Sequence, residues 1–200
     1  MGHLQPVYPP MGCTQYINPQ NEVKLILKEN ILSVTGDAFD VQIDPQDGQH
    51  PYPIFKVDPS FITSKKAFYD MQDNHLFDLR KEHFHLVHKT FKAVDPQGNK
   101  FFEVKSGIQL VGSKATASFT STDGREETLV VKGNWRDSTA DIVDVNRGVT
   151  VAQIHRKSKF KSFSTFAFDQ NSYSLNVAPG VDYALMAALC VAFDEFHNDA

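Results

Sequence analysis

The sequence predicts a mainly β protein, a closed antiparallel β-barrel of about twelve strands around a buried C-terminal α-helix. Three observations predict this fold. An uncharged and largely apolar run extends from Tyr183 to Phe193. Apolar and polar residues alternate with a period of two through most of the preceding chain. No helical pattern separates these alternating segments, which argues against a parallel sheet of βαβ units.

The C-terminal run is predicted to be a helix that is apolar on every face. One helical stripe carries apolar residues at 181, 184, 185, 188, 189 and 192, and the other side carries mainly Met, Ala, Cys and Val. Such a helix must be buried all round. Pro179 and Gly180 precede it and Asp182 is expected in its first turn, so we predict a helix over 181–197. A membrane span needs about 20 apolar residues, whereas this run ends before Asp194.

The strands are predicted from alternation and from the turns between them. Val23, Leu25 and Leu27 have the spacing of a strand with one buried face. The other predicted strands cover 32–36, 38–43, 53–58, 65–70, 75–80, 85–91, 102–110, 128–133, 149–156 and 173–177. Runs such as Asp95-Pro96-Gln97-Gly98-Asn99 contain the residues that favour tight turns.

Closure of the sheet and burial of the helix explain one another. Closing antiparallel strands into a barrel removes exposed edges, but a barrel of about twelve strands is too wide to be filled by its own side chains. The apolar helix supplies the missing core. Residues 21–198 are therefore predicted to be one barrel domain. Residues 1–20, which are rich in proline and carry no Asp, Glu, Lys or Arg, are predicted to be a flexible N-terminal arm.

Composition limits the classes of function. The net charge of -4 gives no reason to expect a nucleic-acid partner. The two cysteines lie in the predicted arm and in the predicted helix, so we expect no disulfide between them. A chain without disulfides is typical of a reducing compartment, so we expect an intracellular, cytoplasmic protein that can also lie at the membrane surface. The first residues do not form a signal peptide. No nucleophile elbow, P-loop or dinucleotide fingerprint is present, so neither an enzyme nor a cofactor is expected.

The strongest candidate site in the sequence is the basic stretch 156–161. Arg156, Lys157, Lys159 and Lys161 surround one aromatic residue, and cations near an anionic bilayer contribute about 1 kcal/mol each. The alternative is a solvated hairpin end, or charges that protect a strand edge. The pairs at 65–66 and 80–81 are further cations, but the sequence does not show whether they lie near this stretch.

Two other groups of polar residues have the composition of possible sites. His83 and His85 would share a face of a strand and His88 would point away, but no cysteine completes a metal site, so none is predicted. Asp194 and Glu195 stand near the negative end of the helix dipole. They are expected to reach water or to pair with a cation from the barrel rim.

Several motifs, in order and spacing, resemble the LURP-one-related family of the tubby-like and phospholipid scramblase superfamily. They are Val131-Lys132-Gly133-Asn134-Trp135, the segment 151–157, the segment 173–184 and Phe193-Asp194-Glu195. The N-terminal strands, such as Ile54-Phe55-Lys56-Val57, are similar more loosely.

The resemblance implies a tubby-like barrel closed around its C-terminal helix. It does not by itself imply a function, and the lack of catalytic motifs leads us to expect a non-enzymatic binding protein. Relatives in the superfamily tether to phosphoinositides or are associated with lipid movement, so we expect a membrane-surface module that contacts anionic, phosphoinositide-like lipid. The alternative is a protein-interaction or regulatory scaffold, related to defence or stress. A scramblase-like activity is the third reading, and divalent-cation contact at Asp194 and Glu195 would accompany it.

Overall fold

The computed structural model describes residues 3–30, 38–45, 47–60, 65–82, 89–107, 113–134, 139–157 and 172–198. Within them lie twelve strands and one helix. The elements are β1 (Val23–Asn30), β2 (Ala38–Asp44), β3 (Tyr52–Pro59), β4 (Lys65–Asp70), β5 (His75–Glu82), β6 (Thr90–Val94), β7 (Lys100–Gly107), β8 (Ser113–Thr120), β9 (Glu126–Asn134), β10 (Thr139–Asp144), β11 (Val149–Lys157), β12 (Ser172–Val177) and α1 (Tyr183–Asn198).

The twelve strands form one closed antiparallel barrel, which confirms the predicted fold class. Each strand pairs with its neighbours in sequence, and β1 closes the ring against β12 with Val23 opposite Val177. We call the end of the barrel where the helix begins the arm end, and the end where the helix stops the tail end. Because the strands alternate in direction, odd-numbered strands run toward the tail end and even-numbered strands run away from it.

The helix is the core of the barrel. Residues 184–194 are at most 1% exposed, as expected for a helix without a polar face. The inner wall contributes large rings that are also buried, namely Phe39, Phe55, Phe68, Phe77 and Phe102. Burial of one such side chain contributes about 1.5–3 kcal/mol relative to exposure, so the helix and the barrel wall stabilise each other.

Several element boundaries differ from the predicted ones. Strands β8 and β10 were not predicted individually. The inward positions of β8 are Ala115 and Ala117, whose small side chains give a weak alternation signal. Strand β6 begins at Thr90, whereas 85–91 was predicted. The predicted strand at 32–36 and the residues 83–88 and 108–110 lie outside the described residues.

The helix begins at Tyr183, two residues later than predicted. Asp182 was expected in the first turn, but it is the N-cap, because its Oδ1 accepts hydrogen bonds from the amides of Ala184 (3.1 Å) and Leu185 (3.2 Å). Asp182 therefore caps the helix from the position immediately before its first residue, Tyr183. Asp182 is completely buried, which an N-cap facing solvent would not be.

The N-terminal arm supplies the cover for this buried cap. The amides of Val7 and Met11 donate to the carbonyls of Pro179 and Gly180, both at 2.8 Å. Met11 is completely buried. The amide of Thr14 donates to Asp182 Oδ2 at 2.8 Å. The segment predicted to be a flexible arm therefore has a defined place across the arm end.

Gly12 permits the close approach of arm and cap. Its φ is +152° and a Cβ at this position would lie 2.4 Å from the Cβ of Asp182, well inside van der Waals contact. Glycine is therefore the residue type that lets the arm pass directly over the N-cap.

Burial of the helix predicts the reactivity of Cys190. The side chain is 1% exposed and burial raises the pKa of its thiol, so both access and thiolate fraction are low. In a Cys13→Ser variant, we expect an aromatic disulfide reagent to modify Cys190 only at the rate of global unfolding. Stopped-flow labelling across a denaturant series measures this rate. Fast labelling without denaturant would show that the helix leaves the barrel.

Candidate functional site: the tail end of the barrel

The fold places several basic segments that are far apart in sequence at one end of the barrel. Lys65 and Lys66 open β4, Arg80 and Lys81 stand near the end of β5, and β11 ends at Lys157. Even-numbered strands begin and odd-numbered strands end at the tail end, so all these positions belong to one end of the barrel. They are not adjacent to one another, however, because β4 and β5 stand five and six strands from β11, on the opposite side of the ring.

Exposed cations recur at the same height around the tail end. They are Lys28 of β1, Arg80 of β5, Lys105 of β7 and Lys132 of β9, while the corresponding residue of β3 is the exposed Asp58. Each of the four cations lies two positions from the end of its strand, on the outer face. Arg80 and Lys105 also form ion pairs, with Asp78 at 2.8 Å and Glu103 at 2.7 Å.

The arm end has the opposite character. Its turns carry Asp70, Asp73, Asp95, Asp123 and Asp144. Hydrogen bonds from Asn74 and Asn99 hold the pKa values of Asp70 and Asp95 below their ordinary range, so these turn acids stay charged. The guanidinium groups of this end, on Arg125 and Arg147, are already paired with Glu127 at 2.8 Å. The barrel is therefore polarised along its axis, with acidic turns at one end and basic strand ends at the other.

Arg156 faces the interior of the barrel. It stands opposite Tyr173 in the β11–β12 ladder, and its guanidinium carbon lies 6.0 Å from the centre of the Tyr173 ring, within the range of a cation–π contact. Arg156 therefore belongs to the inner wall. The side chain of Lys157, and the whole of Lys159 and Lys161, lie outside the described residues.

Arg156 and Tyr173 face a buried acid on the last turns of the helix. Asp194 is completely buried, and the hydroxyl of Tyr173 donates a hydrogen bond to its Oδ1. Burial raises the pKa of Asp194 to about 6, against the opposing effects of the Tyr173 hydrogen bond and the charge of Arg156. The same burial raises the pKa of Tyr173. Neither group is accessible to a substrate.

Glu195 and the helix terminus are satisfied by cations of the inner wall. Lys66 Nζ lies 2.9 Å from Glu195 Oε1 and 5.2 Å from the centre of the Phe39 ring. Lys89 Nζ donates to the carbonyl of Phe196 at 3.3 Å. Cations near a helix C-terminus are favourable because they oppose its partial negative charge. The expectation that Glu195 pairs with a rim cation is confirmed, and the cation is Lys66.

The sequence did not identify Lys66, Lys89 or Tyr173 as parts of one site. Lys66 is 8% exposed, but in sequence it is one of two adjacent lysines at a strand start and has no distinguishing neighbour. The available signal is register: residues 66 and 68 share a face of β4, and Phe68 is fully buried. Applying this rule to β4 would have placed Lys66 inside the barrel.

The described part of the chain contains neither a metal-ligand cluster nor a membrane-spanning helix. No three His, Cys, Asp or Glu side chains there are grouped closely enough to hold a metal ion. The histidines His83, His85 and His88 lie outside it. Its helix does not have the combination of length and hydropathy that crossing a bilayer requires.

Comparison with known proteins identifies relatives over most of the chain. The family model described as LURP-one-related matches residues 23–194. Protein LURP-one-related 10 of Arabidopsis thaliana is 24% identical over 155 residues, which cover 73% of this chain and 78% of the relative. Protein LURP-one-related 15 of the same plant is 32% identical over 69 residues, which cover 34% and 30% of the two chains. An X-ray structure of an Arabidopsis thaliana protein aligns over 92% of this chain and 95% of its own, at 18% identity and a TM-score of 0.41.

The pKa of Asp194 predicts how stability depends on pH. Its folded value of about 6 lies above the ordinary 3.8, so the folded state holds this proton more tightly than the unfolded state does. The contribution of Asp194 to the unfolding free energy is therefore most favourable below pH 4 and is lost as pH rises through 6, by about 3 kcal/mol in all.

An Asp194→Asn variant isolates this contribution. Asn keeps an acceptor for Tyr173 but does not titrate, so the wild type should gain stability relative to the variant as pH falls from 7 to 4. Urea unfolding of both proteins across this range measures the difference. If the difference in unfolding free energy between the two proteins stays constant with pH, Asp194 is ionised throughout this range. Its hydrogen bond and nearby cations would then offset the cost of its burial.

Proposed function

This chain belongs to the LURP-one-related family, and from that premise and its charge distribution we propose that it is a non-enzymatic binding protein whose tail end contacts anionic phospholipid. The observation that carries the proposal is the separation of charge along the barrel axis. Exposed cations ring the tail end while the turns of the arm end carry acids. The binding would be peripheral, at an intracellular membrane surface.

An end-on approach is the orientation in which these charges act together. Attraction to an anionic bilayer decays within a Debye length, about 8 Å at physiological salt. A barrel lying on its side would bring few of the ring cations within this distance. It would also bring the acidic turns close to the surface. A barrel standing on its tail end brings the cations close and keeps the acids distant.

The roles of the four basic candidates differ within this proposal. Arg156 is a positioning residue, because it faces Tyr173 and Asp194 in the inner wall. Lys157, Lys159 and Lys161 continue the chain beyond it and are the proposed lipid contacts. Lys28, Lys105 and Lys132 would add attraction without a specific geometry. The superfamily resemblance to phosphoinositide-tethering proteins favours a phosphoinositide headgroup among anionic lipids.

We propose no catalytic role for Tyr173 and Asp194, whose pKa values are both raised. Both side chains are at most 1% exposed. A reactive pair must reach a substrate, and here the barrel wall and the helix surround the pair. Its contribution is to hold the helix in register with the wall, as Lys66 does for Glu195.

Vesicle co-sedimentation tests the lipid proposal. We expect the protein to pellet with phosphatidylcholine vesicles that contain phosphatidylserine or phosphatidylinositol bisphosphate, and not with phosphatidylcholine alone. Joint Lys157→Gln, Lys159→Gln and Lys161→Gln substitution should weaken binding by about a hundredfold, because each cation contributes about 1 kcal/mol.

A matched control carries the same change of net charge at the arm end. Gln49, Gln72 and Gln97 are exposed, so joint substitution of all three by Glu also lowers the net charge by three. This control should bind vesicles nearly as well as the wild type. An equal loss of vesicle affinity in both triple variants would show that binding depends on net charge and not on the position of the lysines, and it would overturn the proposal. No loss in the lysine variant, or no pelleting of the wild type, would overturn the proposal.

A protein-interaction scaffold is the second candidate function. The observation that favours it is Tyr8, which is 87% exposed although its neighbour Val7 is only 5% exposed. The arm is held in place by hydrogen bonds on both sides of Tyr8, through Val7 and Met11. An aromatic side chain presented from a fixed backbone suits recognition by a protein partner.

Tyr8→Ala tests the scaffold reading more cleanly than deletion of the arm. Deleting residues 1–20 would also remove the buried Met11 and the hydrogen bonds to Asp182, so it would destabilise the barrel. We expect Tyr8→Ala to keep the thermal stability of the wild type and to lose partners in a crosslinking pull-down. Tyr52→Ala, which removes another exposed ring, is the control. An unchanged set of partners would remove this candidate.

A further inference from the structure

A cavity of about 310 Å³ lies at the arm end, between the arm and strands β5 and β7. It is lined by Cys13, Gln15 and Tyr16 of the arm and by Leu76, Asp95 and Phe101 of the barrel, among others. The volume is at the lower end of the range of small-molecule sites, about 300–1,000 Å³. The cavity is separate from the proposed lipid-contacting surface, because the two lie at opposite ends of the barrel.

Two β-bulges form the apolar wall of this cavity. In the β4–β5 ladder, Phe68 stands opposite Phe77 and Tyr69 opposite His75, so Leu76 has no partner. In the β6–β7 ladder, Ala93 stands opposite Phe102 and Val94 opposite Lys100, so Phe101 has no partner. A bulge redirects the side chain of its extra residue and is frequent beside functional sites. Both residues are half-buried and pack against the core.

The opposite wall of the cavity is held rigid by the helix cap. Asp182 Oδ2 accepts hydrogen bonds from the amides of Cys13 (3.2 Å) and Thr14 (2.8 Å). The ring of Tyr16 packs edge-on against Phe55, with 4.8 Å between centroids. The arm therefore presents Cys13 and Tyr16 in a fixed position. A preformed cavity binds a ligand without the cost of ordering its own walls.

The charges around the cavity limit what it can hold. Asp95 contributes a carboxylate whose pKa is held low by hydrogen bonds from Asn99. Asp182 lies directly behind Cys13 and Thr14, but burial raises its pKa, so Asp95 is the carboxylate that supplies negative charge here. Within the described residues that line the cavity, none carries a positive charge. An anionic ligand would lose its hydration and find no counter-charge.

We propose that this cavity is a binding site for an uncharged, planar aromatic molecule, which would contact Tyr16, Leu76 and Phe101. The rings and the bulged leucine supply apolar contact, and offset or edge-on packing of aromatic rings adds to the area they bury. Gln15 and Asp95 at the rim accept hydrogen bonds from a ligand N–H or O–H group. The negative charge nearby excludes organic anions of the same shape.

A pair of fluorescent probes tests both the site and its charge preference. Phenylnaphthylamine is neutral, and anilinonaphthalenesulfonate is the same ring system with a sulfonate. We expect the neutral probe to bind saturably and the sulfonate to bind about tenfold more weakly or not at all. Replacing the exposed Gln15 by Lys should raise the affinity for the sulfonate relative to that for the neutral probe, because it adds a positive charge at the rim.

Variants of the cavity wall locate the bound probe. Leu76→Trp should fill the cavity and weaken the neutral probe by about tenfold or more. Ile26→Trp is the control, because Ile26 lies on the outer wall of β1, on the other side of the ring of strands. Bound probe should also slow alkylation of Cys13, because Cys13 lines the cavity. Cys190 is buried and should not contribute to the labelling. Equal binding by both Trp variants, equal affinity for the two probes, or no binding of the neutral probe would overturn the proposal.

Discussion

Burial of a helix that has no polar face is the constraint on which this structure depends. Such a helix is stable in water only when apolar surface covers it on every side. A single flat sheet covers one side, and two packed sheets leave the edges open. A closed ring of twelve strands covers the whole circumference. The same ring needs the helix, because its inner side chains cannot fill the interior alone.

A helix enclosed in this way leaves its two polar ends to be satisfied inside the protein. At the arm end, Asp182 caps the first amides and also binds the arm, which in turn shields it from water. At the tail end, Lys89 contacts a carbonyl of the last turn and Lys66 neutralises Glu195. The first solution uses backbone and a carboxylate, and the second uses cationic side chains, as the direction of the helix dipole requires.

These two solutions give the two ends of the barrel different chemistry. Tight turns with hydrogen-bonded aspartates close the arm end, and bulges in the adjoining strands leave an aromatic cavity beneath the arm. The tail end collects lysine and arginine on both faces of the wall. The inner cations serve the helix, while the outer cations face solvent. Between the two ends, the barrel wall is a continuous hydrogen-bonded sheet.

The amino-acid sequence by itself determined the class of fold, because the periodicity of apolar residues over short stretches indicates which faces of a helix or strand are buried. The apolar run from Tyr183 to Phe193, together with the alternation that starts at Val23 and recurs along the chain, was sufficient to predict a β-barrel around a helix. The candidate site was determined only in part. The rest of the site depends on contacts between residues that are distant in sequence. These contacts turn Arg156 inward toward Tyr173, pair Lys66 with Glu195 and place the arm over Asp182. Only the register of closed strands decides such contacts, since a shift of one residue would exchange inner and outer faces.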